Sequence, residues 1–331
     1  MFAHIVSQGE RDEEWNPGGI LFWQPVSGIV TVHFTVRTCV IFNPTAKGDK
    51  AGHFRHHLDA IGAEAVLMHT RSAGNARRLA ADAVRDNFEI IVAAGGDGTV
   101  NEVLNGIGDA PNGFERARLA VLPLGTVNVF AKELGMPTKL EAAWQVIRRA
   151  NETRIDLPMV EFGAVESRER RFFAQLAGAG LDARAIELVS WSLKKKIGPA
   201  AYVVAGLKAL GSKLPRIKVS AGAEQASGEL VLIGNGRFYG GLFKVFPQGN
   251  MQDGLLEVCV FPRVSWWTLL RLGPRLLLRG TLPNRATQII RAESVTLTSE
   301  TRAGLQVDGE LAGWLPGTFT IRRNGLRVIV P

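Results

Sequence analysis

The apolar run Ile90 to Ala94 leads directly into Gly95-Gly96-Asp97-Gly98-Thr99-Val100, and a helix-forming segment follows. This junction constrains the chain more than any other feature. Backbone N–H groups at a helix start lack intrahelical partners and, with the helix dipole, attract a phosphate. Three glycines in four positions let the backbone approach such a group without Cβ clashes. Asp97 adds a carboxylate suited to hold Mg²⁺ against phosphates, and Thr99 can cap the helix or donate to an oxygen. A plain Gly-rich turn with a Thr cap does not account for the acid between the glycines.

A second junction of the same kind, Pro123-Leu124-Gly125-Thr126-Val127-Asn128, follows the strand-like run Leu119 to Leu122. Ligands of open α/β sheets bind along the edge where strands end, so two such turns would share one ligand. Upstream, strand-like Val36 to Phe42, helical Lys50 to Ile61, strand-like Ala65 to His69 and helical Gly74 to Asp86 alternate. Helical Thr99 to Ile107 and Asn128 to Leu134 follow the two turns. Such alternation argues for a parallel sheet covered by helices, with Ile90 to Ala94 as a buried central strand.

After Asp156 the texture changes to short β-like runs: Arg171 to Leu176, Ile217 to Ser220, Glu229 to Ile233, Leu255 to Phe261, Ser294 to Thr298 and Thr318 to Arg322. Asn235-Gly236, Asp253-Gly254, Asp308-Gly309 and Asn324-Gly325 punctuate them as turns. The expected fold class is α/β, an N-terminal doubly wound parallel-sheet nucleotide-binding domain plus a β-rich, antiparallel, sandwich-like second domain. The expected boundaries are an extension over 1–34, the first domain over 35–156 and the second over 157–316. A last strand at about 317–331 is expected to return to the first domain.

A chain of 331 residues is long enough for two domains. Lys and Arg number 39 against 31 Asp and Glu, a formal net charge of +8 that favours anionic partners. The two cysteines, Cys39 and Cys259, lie far apart in apolar runs, so a disulfide framework is not supported and a reducing compartment fits better. No uncharged apolar run reaches the roughly eighteen residues of a membrane span. The early acids Glu10, Asp12, Glu13 and Glu14 argue against a signal peptide. A cytoplasmic protein is expected.

The order of motifs resembles the catalytic domain of diacylglycerol kinases, with the related bacterial lipid kinases and sphingosine kinases. Gly95 to Gly106 and Pro123 to Pro137 carry the resemblance, with Phe42-Asn43-Pro44-Thr45-Ala46-Lys47-Gly48 before them. Gly234-Asn235-Gly236, Asp253-Gly254-Leu255-Leu256 and Val307-Asp308-Gly309-Glu310 extend it nearly to the C-terminus. The resemblance implies that Asn43, Thr70, the turn Ala94, Gly95, Gly96, Asp97, Gly98, Thr99 and Val100, and Thr126 surround ATP. It implies a Mg²⁺ site at Asp253 with backbone carbonyls near Asn250 and Leu255. It also implies Glu310 as the base for the lipid hydroxyl, with Asp97 as the rival for that role. One position departs: Val129 stands where the family often carries an Asp, which bears on the identity of the lipid.

An enzyme acting on a lipid has to reach a membrane. Trp191 to Ala223 holds no acid but seven bases, and Val258 to Ala292 holds no acid but six arginines, Arg263 to Arg291. Trp266-Trp267 beside leucines and arginines suits the headgroup boundary, where a half-apolar ring meets lipid phosphate. An anionic membrane surface is therefore an expected partner, with the protein attached peripherally. Nucleic acid is not, since the basic stretches carry no recognisable reading motif. A homodimer is compatible with the sequence but not indicated by it. Two signals are set aside. Gly178 to Ala183 fits G-x-G-x-x-A without a surrounding βαβ unit and reads as a turn. His53, His56 and His57 share a helical face without a nearby cluster of acids or cysteines, and read as solvated.

The resulting expectation is an ATP- and Mg²⁺-dependent lipid kinase. The alternatives are a kinase of a soluble substrate related to NAD kinase, which shares the GGDG turn, and a catalytically silent lipid- or nucleotide-binding regulator.

Overall fold

Parallel strands buried on both faces require continuous apolar runs flanked by helices, and the first half of the chain supplies them. A computed structural model describes residues 36–44, 49–188, 200–241, 243–268, 270–271, 280 and 287–331. The expected extension over 1–34, the loop 45–48, Trp191, Lys194 to Lys196, Arg275, Arg279 and Arg285 lie outside these residues.

The first half runs β1 (Thr38–Phe42), α1 (Asp49–His56), α2 (Leu58–Gly62), β2 (Val66–His69), α3 (Asn75–Arg85), β3 (Ile90–Gly95), α4 (Asp97–Asp109), α5 (Gly113–Arg116), β4 (Arg118–Pro123), α6 (Val129–Glu133) and α7 (Leu140–Arg149). The second half runs β5 (Glu152–Phe162), β6 (Glu169–Phe172), β7 (Leu176–Gly180), α8 (Leu181–Leu188), α9 (Ala200–Ala209), β8 (Ile217–Ala221), β9 (Glu224–Gly228) and β10 (Leu230–Gly234). It ends with β11 (Phe238–Tyr239), β12 (Phe243–Lys244), β13 (Leu256–Phe261), β14 (Gln288–Ala292), β15 (Ser294–Ser299), β16 (Gly304–Val307), β17 (Glu310–Trp314) and β18 (Gly317–Ile329).

Strands β2-β1-β3-β4 form the parallel part of a ten-stranded sheet, and β3 is buried over Ile90 to Ala94. The sheet continues through β18, which meets β4 in parallel at Val328 and Leu119, into antiparallel β15, β8 and β9. Strand β5 pairs with β18 along most of its length and runs unbroken through Asp156. The parallel and antiparallel regions are thus one sheet, stitched by the thirteen-residue β18. A second sheet, β14-β13-β10-β7-β16-β17, is wholly antiparallel. It packs on the antiparallel part of the first. Val160, Val219, Leu297 and Phe319 from one sheet meet Ala179, Val231, Val258 and Leu305 from the other in a single apolar core.

Two sequence readings change. The run read as Arg171 to Leu176 is two strands, because Phe173 to Gln175 leave the ladder to meet a carboxylate described below. Gly178 to Ala183 is not a surface turn but the end of a buried strand entering a helix, with Gly180 at φ 81°. Helix α7, amphipathic with Leu140, Ala143, Trp144, Val146 and Ile147 buried, was not anticipated.

Helices α3 and α4 cover one face of the parallel strands and approach closely at a glycine. A Cβ on Gly106 would lie 2.1 Å from the Arg77 carbonyl oxygen and 2.8 Å from the Ala80 Cβ. The Gly106→Ala variant is expected to lose about 1–3 kcal/mol by overpacking, despite alanine's better helix propensity. A lowered urea midpoint measures it; an unchanged or raised midpoint contradicts it.

Candidate active site

The parallel register aligns the strand ends. Phe42 pairs with His69 on one side and Ala94 on the other, and Gly95 pairs with Pro123. Asn43, Thr70, Gly95 and Pro123 therefore lie along one edge, and the Thr70 N–H donates to the Phe42 carbonyl at 2.8 Å. The two glycine turns touch there. The N–H groups of Leu124 and Gly125 both point at the Gly95 carbonyl, at 3.0 and 3.3 Å. A Cβ on Gly125 would fall 2.5 Å from the Gly96 Cα, and one on Gly95 would fall 2.3 Å from Thr99 Oγ1. Gly125 is thus required by the contact between turns and Gly95 by the Thr99 side chain of its own turn, and Thr126 stands exposed beside them.

Asp97 opens α4 but turns toward the second junction, where its Oδ1 accepts the Phe130 N–H at 3.3 Å at the start of α6. Burial raises its pKa, partly offset by the backbone N–H groups of residues 128 to 130. Asp97 thus ties the two turns together. Val129, where an Asp was the family expectation, is buried in the first turn of α6.

The carboxylate over the glycine turn comes from the other end of the chain. Strands β16 and β17 form a hairpin whose tip is Asp308-Gly309, with φ 46° and 86°. Positive φ at both central residues is the signature of a type I′ turn and explains Asp-Gly there. The tip delivers Glu310 to α4: a Cβ on Gly98 would lie 2.9 Å from Glu310 Oε1. Glu310 itself is exposed.

Asp308 holds this tip in place. Its carboxylate accepts Asn101 Nδ2 at 2.8 Å and the N–H groups of Ala174, Gln175 and Leu176 at 2.8, 3.0 and 3.1 Å. Desolvation is the larger influence on its pKa and raises it, against the pull of these four donors. Asn105 fixes the same segment, exchanging hydrogen bonds with the Phe172 backbone at 2.9 and 3.0 Å. Glu133 at the end of α6 accepts from Gln175 Nε2, from Arg237 Nε and from the N–H groups of Arg237 and Phe238. The two turns, the hairpin and the Gly234 to Phe238 segment are therefore one hydrogen-bonded frame.

A buried relay supports the hairpin from behind. The Tyr239 hydroxyl donates to Asp182 Oδ1 at 2.5 Å, Gln306 Nε2 donates to Asp182 Oδ2 at 2.6 Å, and the Gly309 N–H donates to Gln306 Oε1 at 2.8 Å. Burial raises the pKa of Asp182 and, with the adjacent carboxylate, that of Tyr239. The Tyr239→Phe variant is expected to lose about 1–3 kcal/mol, because a buried carboxylate oxygen loses its donor. A several-fold lower turnover is expected with it, since the relay supports the hairpin that carries Glu310. Thermal unfolding and steady-state rates check both.

The Asp253 to Leu256 segment stands elsewhere on the frame. Asp156 accepts the N–H groups of Gly254 at 2.6 Å and Asn324 at 2.8 Å, fastening this loop to β18. Asp253 Oδ2 is ion-paired with Arg291, its Oδ1 accepts the Leu255 N–H at 2.9 Å, and Asn250 Oδ1 accepts the Gln252 N–H at 3.1 Å. In this arrangement the Asp253 charge is matched by the Arg291 guanidinium, with a further acceptor position left on each of its oxygens.

Of the residues singled out in the sequence, Asn43, Thr70, Ala94 to Val100, Thr126 and Glu310 gather at one strand edge. Asn250, Asp253 and Leu255 do not join them in any contact described here. Asn101, Asn105, Glu133, Asp156, Asp182 and Asp308 were not singled out for the site. Asp308 alone carried a signal, the Asp-Gly pair of a tight hairpin.

The fold and the two glycine turns present a helix start suited to a phosphate. Comparison with known proteins agrees. A diacylglycerol kinase catalytic domain model matches residues 37–160, and a YegS C-terminal NAD kinase beta sandwich-like domain model matches residues 175–330. A diacylglycerol kinase of Staphylococcus saprophyticus is 32% identical over 308 residues, covering 89% of this chain and 95% of that one. One from Staphylococcus aureus is 30% identical, with 89% and 92% covered. The crystal structure of a diacylglycerol kinase from Bacillus anthracis superposes with a TM-score of 0.68 at 22% identity, over 89% of this chain and 97% of that one. Yeast NADH kinase shares the fold more distantly, at TM-score 0.53 and 10% identity, over 90% and 84%. This chain belongs to the diacylglycerol kinase family.

Proposed function

We propose that the protein transfers the γ-phosphate of ATP to a hydroxyl of a diacylglycerol- or sphingosine-like membrane lipid. The observation that supports this most is Glu310 Oε1 lying against Gly98 in the first turn of α4. A base there sits beside the phosphates that the turn would hold.

ATP enters with its Mg²⁺ as the substrate complex, and the cation neutralises charge on the phosphate oxygens. N–H groups of Gly96 to Thr99 and the α4 dipole receive the phosphates, the Val100 N–H being the first one used inside the helix, with Thr126 and Asn43 on the same edge. The lipid oxygen attacks the γ-phosphorus as its proton passes to the Glu310 carboxylate. The bond from the γ-phosphorus to the bridging oxygen breaks, and ADP leaves. Asp97, directed at α6, serves to hold the two turns in register rather than as the base.

Access to lipid is supported by the segment after β13. Ser265 caps a short helical turn through its hydroxyl to the Thr268 N–H at 3.3 Å, and the Val264 N–H is held by Glu229 at 2.8 Å. On it Trp266, Trp267 and Leu270 are 55%, 80% and 66% exposed, with Arg263 and Arg271 exposed beside them. Among the described residues no helix is long and apolar enough to cross a membrane. Interfacial tryptophans with flanking cations suit peripheral attachment to an anionic leaflet. The double variant Trp266→Ala, Trp267→Ala is expected to cut sedimentation with phosphatidylglycerol vesicles about tenfold or more, with ATP binding unchanged. Equal sedimentation removes this surface from the proposal.

The function is tested by offering labelled ATP with diacylglycerol, monoacylglycerol, sphingosine, ceramide and phosphatidylglycerol in mixed micelles. Label in one lipid class is expected and names the acceptor. No labelled lipid, despite ATP binding, leaves a regulator or a soluble-substrate kinase.

A further inference from the structure

His53 and His57 lie four residues apart, and Glu141 meets them from 88 residues beyond His53. His53 opens the last turn of α1, His57 stands between α1 and α2, and Glu141 belongs to the first turn of α7. His53 Nε2 lies 2.7 Å from Glu141 Oε1, and His57 Nε2 lies 3.5 Å from the same oxygen. One donor atom from each residue falls within 4.8 Å of the other two, the one such group of three among the described residues. We propose that these three side chains form a site for a divalent transition-metal ion of the zinc type, separate from the nucleotide turns.

Four observations support it. The i,i+4 spacing puts both imidazoles on one face, where their ring centroids are 4.4 Å apart. His57 Nδ1 lies 2.9 Å from the His53 carbonyl, which can only accept, so Nδ1 carries a proton and Nε2 is the nitrogen turned to Glu141, open to an ion when it carries no proton of its own. That is the tautomer a metal-ligating histidine adopts when its other nitrogen is anchored to a carbonyl. Two imidazole nitrogens and a carboxylate oxygen are a zinc donor set that leaves the fourth position to water. Two ligand atoms bound at about 2.0–2.1 Å to one tetrahedral ion stand about 3.3 Å apart, so an ion would fit the 3.5 Å spacing nearly as it stands and replace the 2.7 Å hydrogen bond that His53 Nε2 donates to Glu141. The side chains are 52%, 35% and 57% exposed, so an ion can enter without local unfolding.

The position gives the ion a mechanical role. The site borders a cavity of about 380 Å³ lined by His53, Leu122, Pro123, Leu124, Leu140 and Glu141. Leu122 to Leu124 lead into Gly125 and Thr126, so an ion joining α1 to α7 braces the helices on either side of the second turn's approach.

The test is zinc binding to the full chain, free of any affinity tag, by titration calorimetry, with Co²⁺ absorption as the report on coordination. One equivalent of Zn²⁺ at micromolar or tighter affinity is expected. The His57→Ala and Glu141→Gln variants should each weaken it at least tenfold, while His56→Ala leaves it unchanged. Zinc should raise the melting temperature of wild type but not of the two ligand variants, since an ion that binds only the folded state stabilises it. No micromolar binding, or binding that survives His57→Ala and Glu141→Gln, overturns the site. Circular dichroism of these surface variants separates lost binding from lost fold.

Discussion

The Glu310→Gln variant is expected to lose roughly 10²–10⁴-fold in kcat, the usual contribution of a general base. It should keep wild-type affinity for ATP and its folded stability. The reasons are geometric. Glu310 is exposed at the tip of the β16–β17 hairpin, so replacing its carboxylate with an amide of the same shape touches no core. Exposed substitutions of this kind stay within about 0.5 kcal/mol of wild type. The phosphates, by contrast, would be held by backbone N–H groups of α4, which the change leaves in place. Loss is therefore confined to proton removal, about 2.7–5.4 kcal/mol of transition-state free energy at 1.36 kcal/mol per tenfold. Steady-state kinetics with saturating ATP, together with nucleotide titration, measure both halves. A kcat within about threefold of wild type would remove Glu310 from the base role and return attention to Asp97.

The Asp308→Ala variant should show the largest stability loss in the site. Its carboxylate satisfies three backbone N–H groups and the Asn101 amide, which also donates to the Phe172 carbonyl at 3.2 Å. Counting about 1 kcal/mol for each bond lost, and about 1 kcal/mol for a non-Gly, non-Asp residue at φ 46°, the cost comes to roughly 4–5 kcal/mol. Asp308→Asn keeps one acceptor oxygen for Gln175 and Leu176 but turns an NH₂ toward two donors. It should fall between wild type and Ala. Activity should follow the same order, because the turn that loosens is the one that carries Glu310. Urea midpoints for the three proteins, read beside kcat, check the ranking. An Asp308→Ala protein of wild-type stability would mean that the frame does not depend on this carboxylate.

The parts of the fold legible in sequence were those governed by local rules. Apolar runs and their helical partners gave the parallel strands to within a few residues, and the glycines of both turns marked the strand edge. What stayed hidden depends on long-range pairing. Asn101 meets Asp308 across 207 positions, and Gln175 meets Glu133 across 42. Neither pair leaves a periodic trace. Asp182 was passed over because Gly178 to Ala183 lacked a βαβ setting, yet its burial beneath Tyr239 and Gln306 makes it part of the support for the hairpin. The sequence offers no cluster of acids or cysteines beside His53 and His57, yet in the structure Glu141 reaches them from 88 residues beyond His53. Asp253 shows the converse. A motif implied a metal ligand but gave no sign of the ion pair that Asp253 makes with Arg291, 38 residues on.

The most direct test of the central claim is a competition in one tube, with γ-labelled ATP, dispersed diacylglycerol and NAD⁺ offered together and the phases then separated. Label is expected in the organic phase, at a rate that falls with Glu310→Gln. Label confined to the aqueous phase as phosphorylated NAD⁺ would contradict a lipid kinase and make the resemblance to NADH kinase the better guide.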